Sequence, residues 1–286
     1  MLDSMPLSVA LTVDVDPDAN RPARGRPDAV SPCGEAAFCA CFEGMEVLAS
    51  IVEESGVPVA LFWEARTLAR LAGSKEELLD RLMQLSGLEN GCHGLRHEDF
   101  AGNRTGLPLN RENVQILLQQ AEGVFRSVLG EAPQGFRAPY CRLTDELAEG
   151  LTAAGYRYDA SRTHELSHDC VLAPYQLETG DLWEVPLCRA RDSRGSTVSA
   201  YLWQLCEGNR TWRDYADLLD AARRRCPHGL VQFALHPWHL VVNADGEPHD
   251  DDRRRAIADG IAQLLEHVTG DEALQFTTPG AYLAAR

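Results

Sequence analysis

The chain has 286 residues, 44% of them hydrophobic, enough to bury a large core in one barrel-sized domain or in two smaller ones. Its formal charge of -16 repels phosphate backbones and anionic headgroups, which sets aside nucleic acid and membrane surfaces as partners and favours a neutral or cationic substrate. The opening MLDSMPLSVALTV lacks the basic start and cleavage site of a secretory signal, and no stretch reaches bilayer-spanning length, so a cytoplasmic location is expected.

In chain order, SVALTV at 8–13 reads as a buried strand, followed by a long loop rich in proline, glycine and charge, DANRPARGRPDAVSPCGE. An amphipathic helix is expected from about Glu35 to Ser55, a second strand at VPVALFW (57–63) and helical material from about Lys75 to Ser86. A short LENGCH segment precedes a long helix over Arg111–Leu129, whose Val114, Leu117, Leu118, Ala121 and Phe125 recur at helical spacing. GFRAPY reads as a strand end broken by proline; Thr144 caps a helix to Ala154, and Gly155 stops it. YRYDAS reads as a strand, whereas Arg162–Gly180 is polar and irregular. LWEVPL, a helix over Trp212–Arg225, the strand LVQFAL at 230–235, a helix over Asp251–Val268 and a strand near LQFTT complete the pattern.

Seven or eight strand–helix alternations argue for one parallel α/β domain over 1–286, either an open doubly wound sheet or a closed barrel. No Gly-x-Gly-x-x-Gly follows the first strand, which weakens the nucleotide-binding form. The nine cysteines suggest no disulfide framework, and Cys33, Cys39 and Cys41 lack the Cys-x-x-Cys spacing of a structural zinc site; reduced thiols are expected.

Charged or metal-binding residues gather where strands end: Asp14 and Asp16 after the first, His93 and His97 after the third, Arg137 after the fourth, His236 after LVQFAL. Two histidines and a carboxylate suit a catalytic divalent metal with open positions. Four residues apart on a helical turn, the histidines can point the same way, although such a pair also occurs simply facing solvent. Asp-x-Asp equally caps a following helix. Together the motifs point elsewhere, because two close carboxylates stay ionised in a closed site only if a cation neutralises one, and Arg137 is placed to hold the other.

Five signatures in order, LTVDVD (11–16), HGLRH (93–97), FRAPY (136–140), LWEVP (182–186) and FALHPWH (233–239), resemble the polysaccharide deacetylase family, carbohydrate esterase family 4 or NodB-homology fold. The resemblance implies a distorted (β/α) barrel of about seven parallel strands and one divalent metal ion, usually Zn2+, with Co2+, Ni2+, Mn2+ or Fe2+ as alternatives. It also implies that Asp14 is the general base, that Asp16, His93 and His97 bind the metal, that Arg137 orients Asp14, and that His236 is the general acid. The backbone amide of Tyr140 would help hold the oxyanion. Trp183 would wall the pocket or belong to the core; Asp181 would orient His236 or lie in an exposed loop; His239 would line the rim. The valine between Asp14 and Asp16, and Gly94 where serine or threonine is frequent, resemble an intracellular branch containing small-molecule amide hydrolases and peptidoglycan deacetylase relatives.

The expected activity is deacetylation of an N-acetylated amino sugar or sugar-containing small molecule. Hydrolysis of a cyclic imide, ureide or formamide at the same site and a non-catalytic sugar-binding module are the alternatives. The partner is then a small-molecule or glycan substrate, and a homo-oligomer is left open. HELSH at His164–His168 formally matches the zinc-protease pattern, but its polar surroundings and Pro174 do not suit the buried helix that motif needs, so a chance match in a loop is expected.

Overall fold

The structure, a computed structural model, describes residues 6–17, 34–167 and 172–286. Its strands are β1 (Leu7–Val15), β2 (Val59–Trp63), β3 (Glu89–Cys92), β4 (Gly135–Phe136), β5 (Tyr158–Asp159), β6 (Thr163–Glu165), β7 (Tyr175–Gln176), β8 (Trp183–Glu184), β9 (Leu187–Arg191), β10 (Thr197–Ser199), β11 (Leu230–Leu235) and β12 (Leu274–Phe276). Its α-helices are α1 (Glu35–Ser55), α2 (Ala65–Ser74), α3 (Glu76–Met83), α4 (Arg111–Leu129), α5 (Asp145–Ala153), α6 (Trp203–Cys206), α7 (Trp212–Arg225), α8 (Asp251–Thr269) and α9 (Pro279–Ala284).

The main sheet runs β11-β1-β2-β3-β4-β5-β8-β7, with β12 beside the start of β1. Every pairing from β11 through β8 is parallel, and only β7 runs against its neighbour. This is a curled, mostly parallel α/β sheet in a half-barrel, as expected. All nine residues of β1 are buried, which explains why LSVALTVDV reads as a nearly continuous apolar run: helices cover one face and the barrel interior the other.

A second sheet, β10-β9-β6, draws β6 from the irregular Arg162–Gly180 region and β9 and β10 from the stretch between LWEVPL and Trp212, where no strand was expected. Its strands are short, and β6 is mostly exposed, so neither length nor alternation marks it. The helix α2 was likewise not expected; it begins immediately after Glu64, and a non-helical Lys75 (φ -143°, ψ 51°) separates it from α3.

No backbone ladder joins β8 to β11 among the described residues. The Gln232 side-chain amide instead donates to the carbonyls of Val185 at 2.6 Å and Pro186 at 3.2 Å. Nearby, Ala234 N donates to Ala200 O and Leu202 N to Ala234 O, which docks the segment after β10 onto β11. Gly44, in the middle of α1, lies against the turn that follows β11, where a Cβ would meet Pro237 O at 1.9 Å. Only glycine permits that backbone approach.

Candidate active site

Asp14 and Asp16, two residues apart on β1 and its extension, fall on one face of the strand. Both are buried, with exposures of 1% and 0%. Arg137, just after β4, is also fully buried, and four acceptors satisfy it: Nε donates to Ala160 O, one terminal nitrogen to Thr12 Oγ1 and Asp14 Oδ1, and the other to Gln232 Oε1, each at 2.9 Å. Burial opposes the charge on Asp14, but Arg137 and the neighbouring His93 and His236 outweigh it, so the carboxyl lies below its usual range and is ionised at neutral pH.

Asp16, His93 and His97 converge, with their ligand atoms all within 4.8 Å of one another. His93 Nε2 and His97 Nε2 stand 3.6 and 3.9 Å from Asp16 Oδ2. A helical turn is not what brings the histidines together. The 93–98 segment is a loop in which Gly94 (φ 84°) and His97 (φ 61°) take left-handed conformations, and Glu98 accepts from the amides of Leu95 and Arg96 at 3.0 and 2.9 Å. A Cβ on Gly94 would meet Glu98 Oε2 at 2.7 Å, so the loop requires glycine there. The non-glycine strain at His97 and at Tyr140 (φ 61°) is stored at one place: the Tyr140 hydroxyl lies 3.2 Å from His97 Nδ1.

These three side chains fit a divalent cation. His93 Nδ1 lies 2.8 Å from Arg137 O, a carbonyl that can only accept, so the proton sits on Nδ1 and Nε2 presents a lone pair. That Nε2 is buried and has no hydrogen-bond partner among the described residues. Burial is the largest influence on both imidazoles; it lowers His93 and takes His97 well below the ordinary histidine range, keeping both neutral as ligands must be.

His236 follows β11, and its Nε2 lies 3.6 Å from Asp16 Oδ2. Burial pushes its pKa down to about 3, against the opposing pull of Asp14. Its ring stacks on Trp238 and lies beside Tyr201. Tyr201, which no sequence signature marks, places its hydroxyl 2.7 Å from Asp14 Oδ2 and 2.9 Å from His236 Nε2. It belongs to the segment docked on β11, 187 residues from Asp14, and neither composition nor spacing could have revealed it.

For Trp183 and Asp181 one of the two open readings holds, the rim position expected of His239 is corrected, and the HELSH segment is not a zinc-protease helix. Trp183 is not brought to this cluster: it packs with Phe62, Tyr158 and Leu283 and lines, with Arg157, Asp181 and Arg286, a cavity of about 470 Å³ beside the amino-terminal ends of the strands. Asp181 lies in that cavity rather than beside His236. His239 is buried and bonded to Glu207 Oε1 at 2.7 Å, so it does not line a rim. His164 and Glu165 lie on β6, not on a helix, and His164 stacks on Tyr175; His168 falls outside the described residues. Cys39 and Cys41 are free thiols of α1, while Cys33 and the long loop at 18–33 lie outside the described residues.

A curled parallel α/β half-barrel with an Asp-His-His cluster at the carboxyl ends of its strands defines the class of this protein. Residues 43–158, which include His93, His97 and Arg137, match the family model described as polysaccharide deacetylase. It is 26% identical over 140 residues to the peptidoglycan deacetylase of Helicobacter pylori, covering 49% of this chain and 42% of that protein. It is 33% identical over 95 residues to the peptidoglycan deacetylase-like protein FGM2 of Gibberella zeae, covering 33% of this chain and 25% of that protein. Each match therefore spans less than half of the relative's length. Among solved structures, a Mycobacterium smegmatis protein assigned as a polysaccharide deacetylase aligns with a TM-score of 0.60 at 22% identity, covering 97% of this chain and 95% of that one. The Puue allantoinase aligns with a TM-score of 0.67 at 13% identity, covering 99% and 91%. These two likenesses bear on the fold. No helix among the described residues is long and apolar enough to cross a membrane.

Proposed function

We propose that the protein is a metal-dependent hydrolase that removes the acetyl group from the amide nitrogen of an N-acetylated amino sugar, free or within a glycan. The observation that carries this reading is the buried lone pair of His93 Nε2, which has no hydrogen-bond partner among the described residues and lies 3.6 Å from Asp16 Oδ2. The match to the polysaccharide deacetylase family model supports the glycan amide as substrate class.

Asp16, His93 and His97 hold the cation in this reading, with Zn2+ suited to a two-histidine, one-carboxylate set. When bound, it polarises the acyl carbonyl and acidifies the attacking water. Asp14, ionised and fixed by Arg137, accepts the water proton. The new C–O bond makes a tetrahedral oxyanion, toward which the backbone amide of Tyr140 is assigned. His236 supplies a proton to the nitrogen as the C–N bond breaks, because an amine leaves poorly as an anion.

The test is release of free amine from N-acetylglucosamine, its oligomers and peptidoglycan fragments by zinc-loaded protein, with a cyclic ureide as comparison. Amine release that vanishes in Asp14→Asn and after chelation is expected. A cyclic ureide as the sole substrate overturns the substrate class, and an active Asp14→Asn overturns the mechanism.

A further inference from the structure

Hydrolysis of an amide moves one proton from water to nitrogen. If one group accepts that proton and another donates it, the donor must be recharged and the acceptor cleared in every turnover. In the reading above, these groups are Asp14 and His236. The Tyr201 hydroxyl is within hydrogen-bond distance of both, 2.7 Å from Asp14 Oδ2 and 2.9 Å from His236 Nε2.

We infer that Tyr201 is the internal proton bridge from Asp14 to His236. The inference rests on the proposed deacetylase reading. At rest, the hydroxyl donates to the Asp14 carboxylate. Once Asp14 has taken the water proton, the hydroxyl turns from it to His236 Nε2, which accepts when the imidazole carries its proton on Nδ1, and Asp14 passes its proton to the tyrosine oxygen as the hydroxyl's own proton moves to Nε2. Asp14 is again a carboxylate, Tyr201 again a neutral phenol, and His236 an imidazolium that protonates the departing nitrogen as the C–N bond breaks. One proton leaves water, one reaches nitrogen, and none is needed from solvent.

The surroundings suit a relay rather than a packing role. Tyr201 is held by backbone on both sides: Ala200 N donates to Cys188 O, and Leu202 N to Ala234 O. Its ring lies 5.1 Å from the His236 ring, tilted by 37°, so replacement by phenylalanine removes the oxygen and leaves the contact surface. Asp14 retains Arg137 in that variant and stays oriented and charged.

The test compares wild type, Tyr201→Phe and Asp14→Asn on an N-acetylglucosamine oligomer. Tyr201→Phe should lower kcat about tenfold or more, the scale of one lost proton-transfer step, with KM and bound zinc unchanged. Imidazole added as an external proton carrier should restore kcat in Tyr201→Phe and leave wild type unaffected. A Tyr201→Phe kcat within twofold of wild type overturns the bridge, and so does a loss that imidazole does not repair. A wild type inactive on every acetylated sugar overturns the deacetylase reading instead. The contact is then judged without turnover by the ¹⁵N resonance of His236 Nε2, which should move in Tyr201→Phe; an unmoved resonance removes the bridge.

Discussion

Arg137 accepts a hydrogen bond from His93 Nδ1 at its own carbonyl oxygen, 2.8 Å away, while its guanidinium holds Asp14 at 2.9 Å. One residue thus sets both the imidazole that faces the cation position and the carboxylate beside it. The two functions use different atoms, one in the backbone and one in the side chain, so a substitution can separate them.

Arg137→Met should leave His93 oriented, because the carbonyl survives, but strand Asp14 as a buried, unpaired charge. Removing one partner of a buried ion pair costs about 3–5 kcal/mol. Urea denaturation should show a loss of that order, and zinc titration should show affinity close to wild type. A variant that loses zinc but keeps its stability would reverse this division of roles.

His93→Ala removes one of three candidate ligands, and His93→Gln keeps a polar atom with different reach. Elemental analysis after dialysis should give about one zinc per wild-type chain and far less in either variant. Full occupancy in His93→Ala would move the cation elsewhere.

Asp159 and Glu184, register partners on β5 and β8, are both fully buried. Burial raises Asp159 to about 7, against Ser161 and Arg137, and raises Glu184 well above its usual range, with the neighbouring Asp159 adding to the effect. A carboxyl raised on folding binds its proton more tightly in the native state, so its stabilisation is complete below its unfolded value and is lost as pH rises through about 7. The melting temperature should therefore fall as pH rises from about 4 toward about 7, the span between the unfolded carboxyl value and that of buried Asp159. Asp159→Asn, which mimics the protonated form, should flatten that slope; an equally steep slope would exclude the pair as its source.

Gly44→Ala should displace the turn that carries His236, because the added Cβ meets backbone at Pro237 rather than a yielding side chain. Activity should fall more than about tenfold, on the scale that small misplacements of reacting groups reach. Zinc binding, built on β1 and the 93–98 loop, should survive. Unchanged kcat in Gly44→Ala would show that the turn absorbs the methyl group.

The long elements were legible because their periodicity is strong: β1, α1, α4, α7, β11 and α8 lie close to where apolar spacing put them. The site was legible as a set of strand-end residues, and Asp14, Asp16, His93, His97, Arg137 and His236 do meet. What brings the two histidines together was not legible, since left-handed backbone at His97 and the Glu98 carboxylate under the loop leave no periodic trace. Trp183 was left between pocket wall and core because a tryptophan beside a motif looks the same whether it faces the site or the far end of the barrel. Tyr201 was missed because its meaning comes from a bridge to β11, a pairing between distant segments that no local pattern records.

Gln232 closes the gap between β8 and β11 with its amide nitrogen and steadies the Arg137 guanidinium with its amide oxygen. The same planar group therefore latches the wall and supports the charge. If that seam parts, Arg137 loses an acceptor and Asp14 its alignment in the same event, so local opening and loss of site geometry should share one transition rather than occur in sequence.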